Sequence, residues 1–259
     1  MMTTKQVGVD QHIKMSRVRF LGRLLCLSIW ICGLQSSAEA ADSIRVLFVG
    51  NSYTGQIRGT LLKMVEDSSN RDSVFEFITP GGCTLERHLG TEETVARINE
   101  GNWDYVVLQD QSQTPALPGT PGDSFQQSVD EFSKIIRHSG AEPILYMTWG
   151  RRDGDKQNSN LFPDFTVMQD KLTAAYEKAA KRNRVKVAPV GEVWEAVRDR
   201  NRELGSELYK DDGSHPSVKG ACLASCVFMR TLFADSLIAT KPVKGVSVEE
   251  FNVIRAAVK

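Results

Sequence analysis

Asp212-Gly213-Ser214-His215-Pro216 sets a carboxylate three residues ahead of an imidazole, and Gly50-Asn51-Ser52-Tyr53 ends an apolar run with a serine. These are the three groups of a nucleophilic site. A neutral hydroxyl attacks poorly unless a base lies within hydrogen-bond reach and a third group holds that base in the right tautomer. Ser52, His215 and Asp212 are expected to fill those roles, with Asp211, four residues from His215, as the competing carboxylate. Taken alone, Gly-Asn-Ser also reads as an ordinary turn in which Asn51 or Ser52 caps the next helix. The Asp-x-x-His-Pro-Ser pattern gives it weight, because a helix start has little use for a histidine.

Attack on a carbonyl also needs donors aimed at the oxygen that becomes negative. Pro80-Gly81-Gly82-Cys83 offers a backbone that can approach a ligand without a side chain in the way. Gly82 is the expected donor there, beside the N–H of Ser52; the plain alternative is a Gly-Gly turn. Gln109-Asp110-Gln111-Ser112-Gln113 supplies an unusual density of amides. Gln109 is the first choice for a side-chain donor, with Gln113 and Gln111 behind it. Trp149, Gly150 and Arg151 follow the fourth apolar run, where they would line an acyl or sugar pocket. Among the other histidines, His12 lies in the leader, His138 ends a helix where a cation suits the dipole, and His88 reads as half-exposed on a helix.

These residues need a scaffold. Five nearly continuous apolar runs, Ile44 to Val49, Val74 to Ile78, Tyr105 to Leu108, Pro143 to Met147 and Val185 to Val190, alternate with helical periodicity. Runs of that kind are strands covered on both faces, and the gaps are long enough for crossover helices. The expected architecture is a three-layer α/β/α domain with a five-stranded parallel sheet. Helices are expected over Ile57 to Asp67, Ser124 to His138, Phe165 to Arg182 and Ser217 to Leu232, and through Val258 after a capping box of Ser247 and Glu250. Trp194 is expected in the core behind the fifth strand. Asp110 to Asp123 and Gly150 to Asp164 are long connections at strand ends, where an open parallel sheet carries its crevice.

The first forty residues read as an export leader. Arg17, Arg19 and Arg23 form its basic region, Leu24 to Leu34 its apolar core, and Ala38-Glu39-Ala40 a small-x-small site with cleavage after Ala40. Polar residues before Met15 suggest that translation begins there. An uncleaved anchor is the alternative, against which stands a core shorter than the roughly 20 apolar residues a membrane-spanning helix needs. Residues 41–259 then form a single domain, exported to the periplasm or beyond, with no stable membrane insertion. The whole chain has 32 Lys and Arg against 32 Asp and Glu, and the leader holds five of the former and two of the latter, so the domain is acidic by three. That balance and the absence of a basic stripe argue against a nucleic-acid partner. Cys83, Cys222 and Cys226 are left, an odd number that does not suggest a disulfide framework; Cys222 and Cys226, four apart, read as core packing. Metal ligation would need more His or Cys nearby, so neither metal nor cofactor is expected.

Gly50-Asn51-Ser52, the glycine segment at Gly82, the amide-bearing end of the third strand and Asp212-x-x-His215 stand in the order of the four sequence blocks of the SGNH hydrolase superfamily, the GDSL-like esterases and lipases. Over essentially all of residues 41–259 the chain resembles that superfamily. The resemblance implies a flavodoxin-like fold, metal-free ester hydrolysis through an acyl-enzyme, and an oxyanion hole of Ser N–H, Gly N–H and an Asn side chain. Two positions depart from it: Asn51 replaces an aspartate, and no Gly-x-Asn-Asp occurs in the third block. Relatives similar to sialate O-acetylesterases carry Gln-Gly-Glu-Ser-Asn there, which lays Gln109 on their glutamine and Gln113 on their asparagine. The expected function is that of an exported serine esterase acting on a carbohydrate or small-molecule ester, acetyl esters foremost. An acyltransferase, a noncatalytic carbohydrate-binding domain and a metal-dependent phosphoesterase are the alternatives.

Overall fold

The computed structural model describes residues 43–68, 70, 72–233 and 241–258. The expected leader lies outside them. Five strands, β1 (Arg45–Val49), β2 (Val74–Ile78), β3 (Tyr105–Leu108), β4 (Glu142–Tyr146) and β5 (Lys186–Ala188), pair in the order β2-β1-β3-β4-β5. Every pairing is parallel. Val46, Leu47, Phe48 and Val49 of β1 are all buried, as a central strand covered on both faces must be.

Alternate residues of that strand feed two cores. Val46 and Phe48 pack with the layer holding α1 (Ser52–Glu66), α6 (Val190–Arg200), α8 (Val218–Phe233) and α9 (Val248–Ala257). Phe48 meets Phe77 at 4.8 Å and Phe228 at 5.0 Å between ring centres. Leu47 and Val49 point the other way, towards α4 (Thr120–His138) and α5 (Phe165–Asn183). Three shorter helices, α2 (Leu85–Leu89), α3 (Glu92–Asn99) and α7 (Arg202–Glu207), complete the described elements. The three-layer α/β/α arrangement expected from the sequence is therefore what the chain forms.

Several boundaries differ from expectation for local reasons. The first helix begins at Ser52 rather than Ile57, because Asn51 caps it by accepting a hydrogen bond from the Tyr53 N–H at 3.1 Å. The fifth apolar run does not stay extended to Val190: β5 stops at Ala188, and Pro189 caps α6, whose first residue is Val190. Both long connections contain a short 3-10 turn, at Thr114–Ala116 and Lys156–Asn158. At the C-terminal end the expected capping box is present, Ser247 Oγ accepting from the Glu250 N–H and Glu250 Oε2 from the Ser247 N–H. Trp194 is buried, and Cys222 and Cys226 are buried thiols of α8. Among the described residues no helix is long and apolar enough to cross a membrane.

The chain order reverses between β1 and β3, which have β2 outside one and β4 outside the other. In open parallel sheets such a switch point leaves a crevice at the carboxyl ends of the strands. Ser52 stands there, three residues past the end of β1.

Candidate active site

Ser52 opens α1, so its side chain sits at the amino end of a 15-residue helix, where backbone N–H groups and the helix dipole favour negative charge. A buried polar network fixes the turn before it. Gln109 Oε1 accepts from the Asn51 N–H at 2.9 Å and from Thr54 Oγ1 at 2.7 Å. Asn51 Nδ2 donates to the Cys83 carbonyl at 3.0 Å, tying the glycine segment to the same turn. His88 Nε2 lies 2.8 Å from the Gly50 carbonyl, and its Nδ1 lies 3.2 Å from Thr94 Oγ1. A carbonyl only accepts, so Nε2 carries the proton and Nδ1 accepts from the threonine. Burial lowers the His88 pKa, the Gly50 carbonyl opposes that shift, and the nearby Arg87 charge adds to it. Gly50 itself is required by space: a Cβ there would stand 2.5 Å from Thr54 Oγ1 and 2.6 Å from Gln109 Oε1.

Across the crevice, the turn before α8 carries the other two groups. Ser52 Oγ and His215 Nε2 are 2.9 Å apart, and His215 Nδ1 is 2.6 Å from Asp212 Oδ2. Asp212 Oδ1 also accepts from the Ser214 and His215 N–H groups, both at 2.9 Å. Partial burial pushes the Asp212 carboxyl up, but the His215 ring and these two N–H groups outweigh it and hold its pKa below the ordinary value. An ionised Asp212 accepts from Nδ1–H, which leaves His215 Nε2 with a lone pair facing the serine hydroxyl. Asp211, the competing carboxylate, makes no such contact with the ring among the described hydrogen bonds.

Ser52, Gly82, Gln111, Ser112, Arg151 and His215 border a cavity of about 230 Å³, with Asn51, Tyr53 and Ser214 completing its wall. A larger cleft of about 350 Å³ lies beside the β5 edge, away from these groups. Gly82 has the left-handed φ of +63° that glycine tolerates, which turns the chain at the rim.

Three residues expected to touch substrate are placed elsewhere. Gln109 is fully buried beneath the turn; its oxygen serves Asn51 and Thr54, and its amide nitrogen donates to the Asp110 carbonyl. Gln113 Oε1 accepts from Asn158 Nδ2 at 2.9 Å, and Gln113 is not in the cavity wall. Trp149 is buried between Tyr53 and Trp194, with ring centres 4.8 and 4.0 Å away, and donates from Nε1 to the Ser214 carbonyl at 3.0 Å. His88, expected half-exposed, is buried. Arg151 does border the cavity, and its Nη1 pairs with the buried Asp155 at 2.5 Å.

Of the three glutamines, Gln111 is the one that borders the cavity. Its Oε1 accepts from the Gln113 N–H at 2.9 Å, the Thr114 N–H at 3.3 Å and Thr114 Oγ1 at 3.2 Å. Those donors fix the orientation of the amide and occupy its oxygen, leaving the NH₂ group as the part available to a ligand. Tyr53, Ser112 and Ser214 also line the cavity, and the only sequence signal that marks them is adjacency, Tyr53 to Ser52 and Ser214 to His215.

No protein-family model and no curated protein matches the sequence. Solved structures do. A DUF4886 family protein from Bacteroides uniformis aligns with a TM-score of 0.72 at 19% identity, over 84% of this chain and 93% of that one. A candidate SGNH hydrolase from Slackia heliotrinireducens aligns at 0.61 and 28% identity, over 74% of this chain and 100% of that one. An acetylxylan esterase from Geobacillus stearothermophilus, in a catalytic-mutant form, aligns at 0.56 and 13% identity, over 78% and 100%. The chain thus has the SGNH hydrolase fold, as its four sequence blocks imply.

Proposed function

We propose that this chain is an exported serine esterase that removes short acyl groups, acetyl foremost, from a carbohydrate. The observation that carries the reading is the pair of contacts aligning Ser52 Oγ, His215 Nε2 and Nδ1, and Asp212 Oδ2 at 2.9 and 2.6 Å. In this reading Ser52 Oγ attacks the ester carbonyl while His215 Nε2 takes its proton. His215 then returns the proton to the leaving alcohol, and water, activated by the same nitrogen, releases the acid from the acyl-enzyme. Asp212 holds the ring and stabilises the imidazolium. The N–H groups of Ser52 and Gly82 and the Gln111 amide serve the oxyanion.

The cavity wall supports the substrate class. Apart from the Tyr53 ring, its side chains end in hydroxyl, amide, imidazole or guanidinium groups, and about 230 Å³ suits a small acyl group on a polar alcohol better than a lipid chain. The likeness to acetylxylan esterases points the same way.

Treating the protein with a fluorophosphonate and mapping the adduct by mass spectrometry tests nucleophile and activation together. The label is expected on Ser52, and Ser52→Ala is expected to reduce p-nitrophenyl acetate hydrolysis by a factor on the order of 10³ or more. Equal, background-level rates in both proteins would sink the proposal. Full activity in EDTA is expected, since no step uses a metal.

A further inference from the structure

We propose that Tyr53 is a positioning residue that locks the base-bearing turn to the nucleophile's own helix, through a hydrogen bond between its phenol and the Ser214 hydroxyl. The inference rests on the reading of Ser52 and His215 as nucleophile and base. Tyr53 is buried, and its hydroxyl lies 2.6 Å from Ser214 Oγ. If packing were its whole purpose a phenylalanine would serve, because a phenol taken out of water costs free energy unless it is paired. Ser112, on the connection that carries Gln111, acts on the same phenol.

Ser214 lies between Asp212 and His215 in sequence and is held at three points. Its N–H donates to Asp212 Oδ1, its carbonyl accepts from Trp149 Nε1, and its hydroxyl meets Tyr53. The Tyr53 ring stacks on Trp149, with planes 10° apart, and presents an edge-on contact to the His215 ring at 5.2 Å. One side chain adjacent to Ser52 therefore touches both the imidazole and the residue preceding it. Arg152 N–H also ties the turn down, through the Gly213 carbonyl at 2.8 Å, but it does so from the β4 side. Tyr53 links the turn to α1, and so sets the Ser52 to His215 spacing directly.

Tyr53→Phe, Ser214→Ala and the double variant separate positioning from packing, since Phe keeps the ring stack. Each single change is expected to lower both kcat for p-nitrophenyl acetate and the rate of fluorophosphonate labelling by roughly 10- to 100-fold, with KM nearly unchanged. Tyr53→Phe is expected to keep the melting temperature near wild type, and Ser214→Ala to lower it modestly by taking a partner from the buried phenol. The double variant is expected to be no worse than Tyr53→Phe alone, because that change already removes the bond that Ser214→Ala removes. In parallel, the low-field proton resonance of His215 Nδ1–H is expected to be sharp in the wild type and exchange-broadened in Tyr53→Phe. Wild-type rates and an unchanged resonance in Tyr53→Phe, or losses that multiply in the double variant, would overturn the proposal. A wild-type protein that takes no label overturns the esterase reading itself, and with it the catalytic meaning of this contact, whatever the resonance does.

Discussion

Around Ser52 the polar anchors are buried: Asn51, Thr54, His88 and Gln109 are each at most 2% exposed. The Asp212 and His215 side chains, by contrast, retain 48% and 30% of their exposure. On the first side, hydrogen bonds replace water that the fold has expelled, so losing one strands a partner at a cost of about 1–3 kcal/mol. On the second, water can replace a lost partner, and the same kind of bond contributes little to stability. The turn that presents Ser52 is therefore part of the folded core, whereas Asp212 and His215 stand on a surface turn whose geometry, on the proposed reading, matters to chemistry far more than to folding. Substitutions on the two sides should fail differently.

The largest effect is expected on the exposed side. Asp212→Asn keeps an oxygen for the Ser214 and His215 N–H groups but removes the charge that holds Nδ1–H in place. A fall in kcat on the order of 10³ to 10⁴ is expected, with a denaturation midpoint close to the wild type. A variant that lost stability in proportion to activity would break the contrast, because it would make the surface turn a structural element.

A buried carboxyl on the Ser52 side gives the next effect. Asp110 adjoins Gln109, and its pKa is pushed up to about 7 from 3.8, chiefly by burial and slightly by Glu86, against hydrogen bonds from the Gln111 and Leu85 backbones. Between those two values the folded chain holds a proton that the unfolded chain has released, so stability falls as pH rises through the window. Linkage puts the loss at up to about 4 kcal/mol, complete somewhat above pH 7. Asp110→Asn should abolish this slope, so that its stability relative to wild type is greater at about pH 8 than at about pH 5. Parallel pH profiles in urea denaturation would count against a buried, protonated Asp110.

The strands were legible because a parallel sheet covered on both faces writes nearly unbroken apolar runs, and the capping box at Ser247 was legible because its chemistry is complete within four residues. The pairing of Asp212 with His215 was readable for the same local reason. What failed needed knowledge of which face a residue presents. Val190 prolongs an apolar run although the chain has already turned into α6, and apolarity alone does not mark that switch. Five-residue α2 and eight-residue α3 are too short to display a helical period. Trp149 stands at a strand end, where a pocket residue was expected, but its ring turns inward to Trp194. Gln109 and Gln111 have the same chemistry two positions apart. The Gln109 N–H still pairs with the Val49 carbonyl at 2.9 Å, continuing the β1–β3 ladder, while Gln111 has left the sheet.

That last pair sharpens the comparison within a single loop. Gln111→Leu removes a donor from a partly exposed position at the cavity, and should lower kcat by a factor on the order of 10² to 10³. Its stability loss should be smaller than that of Gln109→Leu, because the Gln113 and Thr114 groups it leaves are only part-buried and water can reach them. Gln109→Leu removes no group from the cavity, but it leaves the Asn51 N–H and the Thr54 hydroxyl buried without their acceptor. A stability loss of about 1–3 kcal/mol is expected in chemical denaturation. Its kcat should fall less than that of Gln111→Leu, because the turn beneath Ser52 loosens while the proposed oxyanion donors remain. If Gln109→Leu instead lost the larger share of kcat at wild-type stability, Gln109 would be the group facing the substrate, and the division between a core-built Ser52 turn and a surface-built Asp212–His215 turn would have to be drawn one strand residue deeper.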